Sequence, residues 1–214
     1  MKKCEEPRMT KTAYKLFRIK NGKLYPPMVP NKNNEATPMS TWIEAEPGEF
    51  AGYSKTGRPR VKSEGTGTPA FRPGWHLSEI PRAPQFDRKG IRGPVFPKDF
   101  IWAECEYASE IDYQEEADAK GYQRTYITED GSIKIALSSS FQYSLAGLDH
   151  VPVNGCYRYR TNPRADTPVW IISGAIIIKR LLSDEEVNEI LIGKDIAPIN
   201  RRGGNKTLKE LGVE

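Results

Sequence analysis

Chemistry is densest in this 214-residue chain at Trp75-His76-Leu77-Ser78. His76 is one of only two histidines, and an imidazole can donate, accept or shuttle a proton near neutral pH. On a short strand His76 and Ser78 share a face at the period-two spacing, a pair suited to holding an amide or a ribose hydroxyl. Trp75 stands beside them and joins the candidate binding set. The competing reading is a polar pair at a sheet edge. Glu104 and Glu106 also share one strand face and form the candidate acid and base, although paired carboxylates on a strand more often face solvent.

Other chemistries find no support in the residue patterns. There is no Gly-x-Ser-x-Gly turn for a serine hydrolase, no Walker loop and no Gly-x-Gly-x-x-Gly. His76 and His150 lie far apart with few carboxylates near them, so no metal set is signalled. Cys4, Cys105 and Cys156 are odd in number and lack a Cys-x-x-Cys spacing, which points to a reduced compartment.

The elements that must position these residues are mostly strands. Residues 13–20 alternate as a strand, and Asn21-Gly22 predicts a tight hairpin turn. The returning strand over 24–29 is cut short by Pro26 and Pro27. Residues 46–68 form a long connection rich in Gly, Pro and charge, of the kind that wraps a functional site or stays mobile. A short strand over 75–78 leaves the Pro73-Gly74 turn. A longer strand over 100–107 places Ile101, Ala103 and Cys105 on one face and Trp102, Glu104 and Glu106 on the other.

Asp112 caps a short helix that Gly121 stops. Residues 122–128 and 133–137 form a second hairpin about Glu129-Asp130-Gly131-Ser132, and 155–160 is a further strand. The most apolar run, 169–178, predicts a central strand bent at Ser173-Gly174. Ser183 with Glu186 makes a capping box for a helix whose buried stripe is Val187, Ile190 and Leu191. The expected fold is α+β: mostly antiparallel strands and hairpins with one or two short helices. A single domain is expected over 13–192, between a flexible segment at 1–12 and a loosely attached tail at 193–214.

Aromatic residues at 10% argue for a real core. The net charge of +4 is too small for a nucleic-acid footprint. The basic ends, including Lys2, Lys3, Arg8, Lys11 and Lys15 in front and Arg201, Arg202, Lys206 and Lys209 behind, read as solvated. No apolar run of about 18 residues is present for a membrane span. The charged N-terminus lacks the apolar core of a secretory signal, so a cytoplasmic protein is expected.

Two resemblances extend this reading. Tyr14-Lys15-Leu16-Phe17-Arg18, Pro73-Gly74-Trp75-His76, Tyr157-Arg158-Tyr159 with Thr161-Asn162-Pro163, and Trp170-Ile171-Ile172-Ser173-Gly174-Ala175-Ile176 together resemble an uncharacterised domain of bacteriophages and conjugative elements. That likeness covers about residues 13–190 and implies no particular activity.

The order of motifs also resembles ADP-ribosyltransferase-type folds. The resemblance implies that Arg18 on the first strand meets a dinucleotide. It further implies that within Gly74-Trp75-His76-Leu77-Ser78 the imidazole meets the adenosine ribose and the hydroxyl meets nicotinamide. The catalytic glutamate of such enzymes has no counterpart in Pro168-Val169-Trp170-Ile171-Ile172. Without a carboxylate beside the developing oxocarbenium ion, NAD would be bound and not cleaved, unless Glu104 or Glu106 takes that role.

The first functional reading is therefore a phage- or mobile-element-type accessory protein, in the host cytoplasm or the virion, that binds a protein or nucleotide partner. The second is an ADP-ribosyltransferase-like enzyme acting on NAD. The third is a nucleic-acid-binding factor using its basic termini.

Overall fold

The computed structural model describes residues 1–53, 59–64, 68–90, 93–119, 124–127, 133–136, 147–159 and 168–213. In chain order the strands are β1 (Thr10–Lys20), β2 (Lys23–Tyr25), β3 (Ile43–Glu44), β4 (Phe50–Tyr53), β5 (Pro59–Val61), β6 (Trp75–Ser78), β7 (Arg88–Gly90) and β8 (Gly93–Val95). There follow β9 (Phe100–Ala108), β10 (Ile111–Asp112), helix α1 (Gln114–Ala119), β11 (Arg124–Ile127), β12 (Ile133–Ala136), β13 (Gly155–Tyr159), β14 (Trp170–Ser173), β15 (Ala175–Leu182) and helix α2 (Asp184–Ile192). The expected helix stop at Gly121, the turn at Glu129 to Ser132 and the Thr161-Asn162-Pro163 motif lie outside the described residues.

Nine strands form the main sheet in the order β10-β13-β14-β6-β1-β9-β15-β3, with β2 hairpinned onto β1. Strand pairs are antiparallel except β10 with β13, so the sheet is mixed. Three separate two-stranded ribbons, β4–β5, β7–β8 and β11–β12, complete the strand set among the described residues. No helix of the described chain is long and apolar enough to cross a membrane.

The apolar run expected as one bent strand is two strands. Gly174 separates them, and they occupy different places in the sheet: β14 pairs with β13 and β6, β15 with β9 and β3. Three strands lie between them. In a flat sheet that separation would be roughly 19 Å, whereas two Cα steps span about 7.6 Å at most. The sheet must therefore curl so that its two halves approach. A side chain at 174 has no room, since a Cβ there would lie 1.9 Å from the Pro152 carbonyl oxygen.

Curling gives the sheet an inner and an outer face. Inside lie Phe17, Ile43, Trp75, Leu77, Ile101, Cys105, Ile171, Ile176 and Ile178, drawn from strands across the whole sheet. Outside, Trp102, Tyr157, Ile172 and Leu182 pack against Val187 and Leu191 of α2. The capping box forms as expected: the Ser183 amide donates to the Glu186 carboxylate at 2.8 Å, and the Glu186 amide donates to the Ser183 hydroxyl at 3.3 Å.

Both ends of the chain are tied down, which corrects the expectation of loose termini. Lys3 bridges to Ile43, and the Glu44 amide donates to the Lys2 carbonyl at 2.9 Å. At the other end Arg201 is buried at 4% exposure. Its guanidinium donates to both oxygens of Asp184, at 2.5 and 2.8 Å, and to the carbonyls of Pro97 and Phe100 at 2.8 and 2.9 Å. Ile199 joins the outer core, and Leu208, Leu211 and Val213 pack on the inner one. These residues are too sparse in sequence to show a period, so their burial has no pattern signal.

Two outcomes follow from this packing. Ile176→Ala, at a wholly buried position between β9 and β3, should cost about 2–5 kcal/mol in denaturant unfolding through lost transfer energy and a cavity. Arg201→Leu should cost roughly 3–5 kcal/mol, because it leaves the Asp184 carboxylate buried and unpaired. A midpoint unchanged in either variant would place that residue outside the cooperative core.

Candidate functional site

β6 is short because the chain before it is Pro69 to Gly74 and the chain after it runs into Pro81 and Pro84. Gly74 turns the chain into the strand at φ 128°, where a Cβ would also strike the Ile172 side chain. On one side β6 pairs with β14 along its length. On the other it meets β1 at the single pair Tyr14–Ser78. Beyond that pair the two strands part, and a cleft of about 620 Å³ opens along the seam.

Lys15 lies in the seam and is 5% exposed. Its ammonium donates to the His76 carbonyl at 3.0 Å, taking an acceptor that a continued ladder would use. The rings of Trp75 and Phe17 lie 5.0 and 5.4 Å from it. Among the described residues no carboxylate forms an ion pair with it. Burial pushes its pKa down to about 8.

His76 borders the same cleft with both ring nitrogens engaged. Nε2 is 2.9 Å from the Arg72 carbonyl, which can only accept, so Nε2 carries the proton. Nδ1 then accepts from the Tyr159 hydroxyl at 3.2 Å. The Arg72 guanidinium lies 4.7 Å from the Tyr159 ring centroid, on the other side of that contact chain. Burial first, then the charges of Lys15 and Arg72, hold the imidazole at about 4. His76 is thus a neutral brace between the 72–76 turn and β13, with no proton free to shuttle near pH 7.

The remaining walls come from loops. Among the described residues seven prolines line the cleft, along with Phe71, Phe86 and Trp170. The 46–68 connection supplies one wall, consistent with a segment wrapped on a site: Glu46, Pro47, Gly48 and Val61 all face the cleft. Glu64 holds this segment to β1 through Arg18 at 3.2 Å and Lys20 at 2.8 Å.

Of the residues expected in a site, Trp75 and His76 border the cleft and the others do not. Trp75 donates its indole N–H to the Ile43 carbonyl at 3.1 Å and shows its ring to Lys15. Ser78 is wholly buried, and its hydroxyl accepts from the Ile80 amide at 3.4 Å. Arg18 shares the sheet face of His76 through the Tyr14–Ser78 register. It is taken up by Glu64, by Asp99 at 3.3 Å and by the Phe100 ring.

Glu104 pairs with Arg180 at 3.2 Å and Glu106 with Lys179 at 3.3 Å, both away from the cleft. The set implied by the ADP-ribosyltransferase likeness is therefore not gathered in one cavity. No group of three or more His, Cys, Asp or Glu residues among those described could hold a metal ion.

The cleft's distinctive residue, Lys15, belongs by sequence to the basic ends that read as solvated. A local signal for its burial exists. In Ala13-Tyr14-Lys15-Leu16-Phe17 both strand faces are apolar, so the lysine has no solvent side to occupy. Compared with known proteins, the chain matches no family model, no curated protein and no solved structure.

The two displaced pKa values predict a pH dependence. An unfolded chain protonates His76 near 6.5 while the native state resists until about 4, so this contribution is present above 6.5 and lost as pH falls toward 4. Lys15 releases its proton near 8 in the native state and near 10.5 when unfolded, so stability relative to Lys15→Met rises between those values. The slope is at most about 1.4 kcal/mol per pH unit. Cys105, pushed up to about 12 by burial and interacting with the Lys15 charge, opposes the rise above pH 9, so the difference is read most directly between pH 8 and 9. Parallel unfolding curves for wild type and Lys15→Met from pH 7 to 10 would show that Lys15 is solvated.

Proposed function

We propose that this protein is a binding module, of the phage- or mobile-element accessory type, whose ligand occupies the Lys15 cleft. The observation that carries this is a buried ammonium that, among the described residues, has one neutral carbonyl acceptor and no carboxylate ion pair, in a cleft walled largely by prolines and aromatic rings. An isolated buried charge is costly. A ligand oxygen completing its hydrogen bonds would remove much of that cost. The ligand that fits has an apolar or aromatic body for the proline and ring walls and an oxygen-rich end for Lys15, in a lining where Lys15, Lys32 and Arg72 outnumber Glu44 and Glu46. Concave, largely apolar sites with few polar groups are the usual form of small-molecule sites.

A nucleotide is the case raised by the sequence. Its base would use the aromatic walls and its phosphate the net positive lining. Glycosidic cleavage is not part of the reading, because Glu104 and Glu106 sit in ion pairs outside the cleft. Calorimetry with AMP, NAD and benzoate tests the proposal on wild type and Lys15→Met. At least one probe should bind wild type, and the variant should bind it roughly 10- to 100-fold more weakly, as expected for a lost hydrogen bond to a charged group. NAD should remain intact by chromatography. Absence of binding by all three probes, or equal affinity in the variant, would overturn the assignment.

A further inference from the structure

The binding reading leaves open which oxygen-bearing group Lys15 meets, and the geometry narrows it. Resting on that reading, we infer that the cleft captures an aldehyde- or ketone-bearing organic acid as an imine on Lys15. The amine sits at the wall of an open cleft, nine-tenths buried, against two aromatic rings. A carboxylate partner would hold an amine in its protonated, unreactive form, and none pairs with this one among the described residues. Around it His76 is neutral and the Cys105 thiol stays protonated, while the cleft lining also carries Lys32, Arg72, Glu44 and Glu46. Lysines desolvated in this way are the ones that serve as imine-forming nucleophiles.

The step balances without any redox partner. The Nζ lone pair adds to the carbonyl carbon and forms the C–N bond, and the displaced π pair protonates on oxygen. The carbinolamine then expels that oxygen as water while nitrogen gives up its second hydrogen, leaving C=N. Capture consumes one carbonyl and releases one water. The His76 carbonyl, 3.0 Å from Nζ, fixes the amine's position and accepts the hydrogen of a protonated imine. With Lys15, Lys32 and Arg72 lining the cleft against Glu44 and Glu46, the lining is net positive and suits the ligand's acid group.

The test uses the full chain with 4-formylbenzoate, trapping by cyanoborohydride at neutral pH, and peptide mass mapping. 4-(Hydroxymethyl)benzoate, which has nearly the same shape but no carbonyl, serves as the reversible control. Lys15 should gain the mass of the aldehyde less one oxygen, at least 10-fold faster than the exposed Lys23, Lys98 and Lys209. The alcohol should compete with this labelling. Lys15→Arg has no primary amine, so it should lose the trapped adduct at the cleft. Labelling of Lys15 no faster than Lys23 while the alcohol still binds in a Lys15-dependent way would overturn the imine and leave the binding reading standing. Failure of both measurements would overturn the two together.

Discussion

One residue, Gly174, joins two strands that the sheet holds three strands apart, and the curl of the sheet depends on that step. Ser173 ends β14 beside β13, and Ala175 begins β15 beside β3. Covalent geometry forbids the two halves from lying flat. The curl encloses Phe17, Ile101, Ile171 and Ile176 as an inner core drawn from both sides of the junction. The junction itself is polar and fully buried. The Ser173 hydroxyl lies within reach of the carbonyls of Ala108, Gly155 and Ala175, at 3.2, 3.3 and 3.0 Å. A buried hydroxyl without such partners would cost stability, and here it ties the end of β9 and the start of β13 to the bend.

The same curl explains the cleft. β1 is committed to β9 over nine register pairs and to β2 at its far end. β6 is committed to β14. The seam between β1 and β6 is left with one pair, and Lys15 reaches across it to the carbonyl of His76. An opening in a sheet exposes unpaired backbone groups that need partners. Here a side-chain ammonium serves one of them, and proline-rich loops with few N–H groups cover the rest of the gap. The wall is therefore built largely of prolines and rings, and among the described residues Lys15, its most buried cation, has a single hydrogen-bond acceptor.

Closure of the outer face rests on a different interaction. Arg201, from the last part of the chain, holds Asp184 at the start of α2 and the carbonyls before β9. Asp184 also accepts from the Lys206 amide at 2.9 Å. A helix of nine residues is too short to be stable in isolation. Its capping box, its Val187 and Leu191 contacts and this bidentate pair hold it against the sheet.

Local pattern was enough for much of the framework. The Asn21-Gly22 hairpin, the alternation of 100–107, the strand at 75–78 and the Ser183–Glu186 cap are written in neighbouring residues, because turns, pleats and caps are short-range physics. Trp75 and His76, candidates from the same local pattern, border the cleft. Tertiary structure decided what those residues do. His76 looked like a free imidazole, but Arg72 and Tyr159, one close in sequence and one distant, take both its nitrogens. Arg18 and Ser78 had the right types and are consumed by Glu64, Asp99 and the Ile80 turn. Lys15 looked like one more solvated charge, and Arg201 like part of a tail. Whether a cation is solvated, paired or stranded depends on which strands stop pairing and where the ends of the chain dock, and those are long-range outcomes of the bend at Gly174.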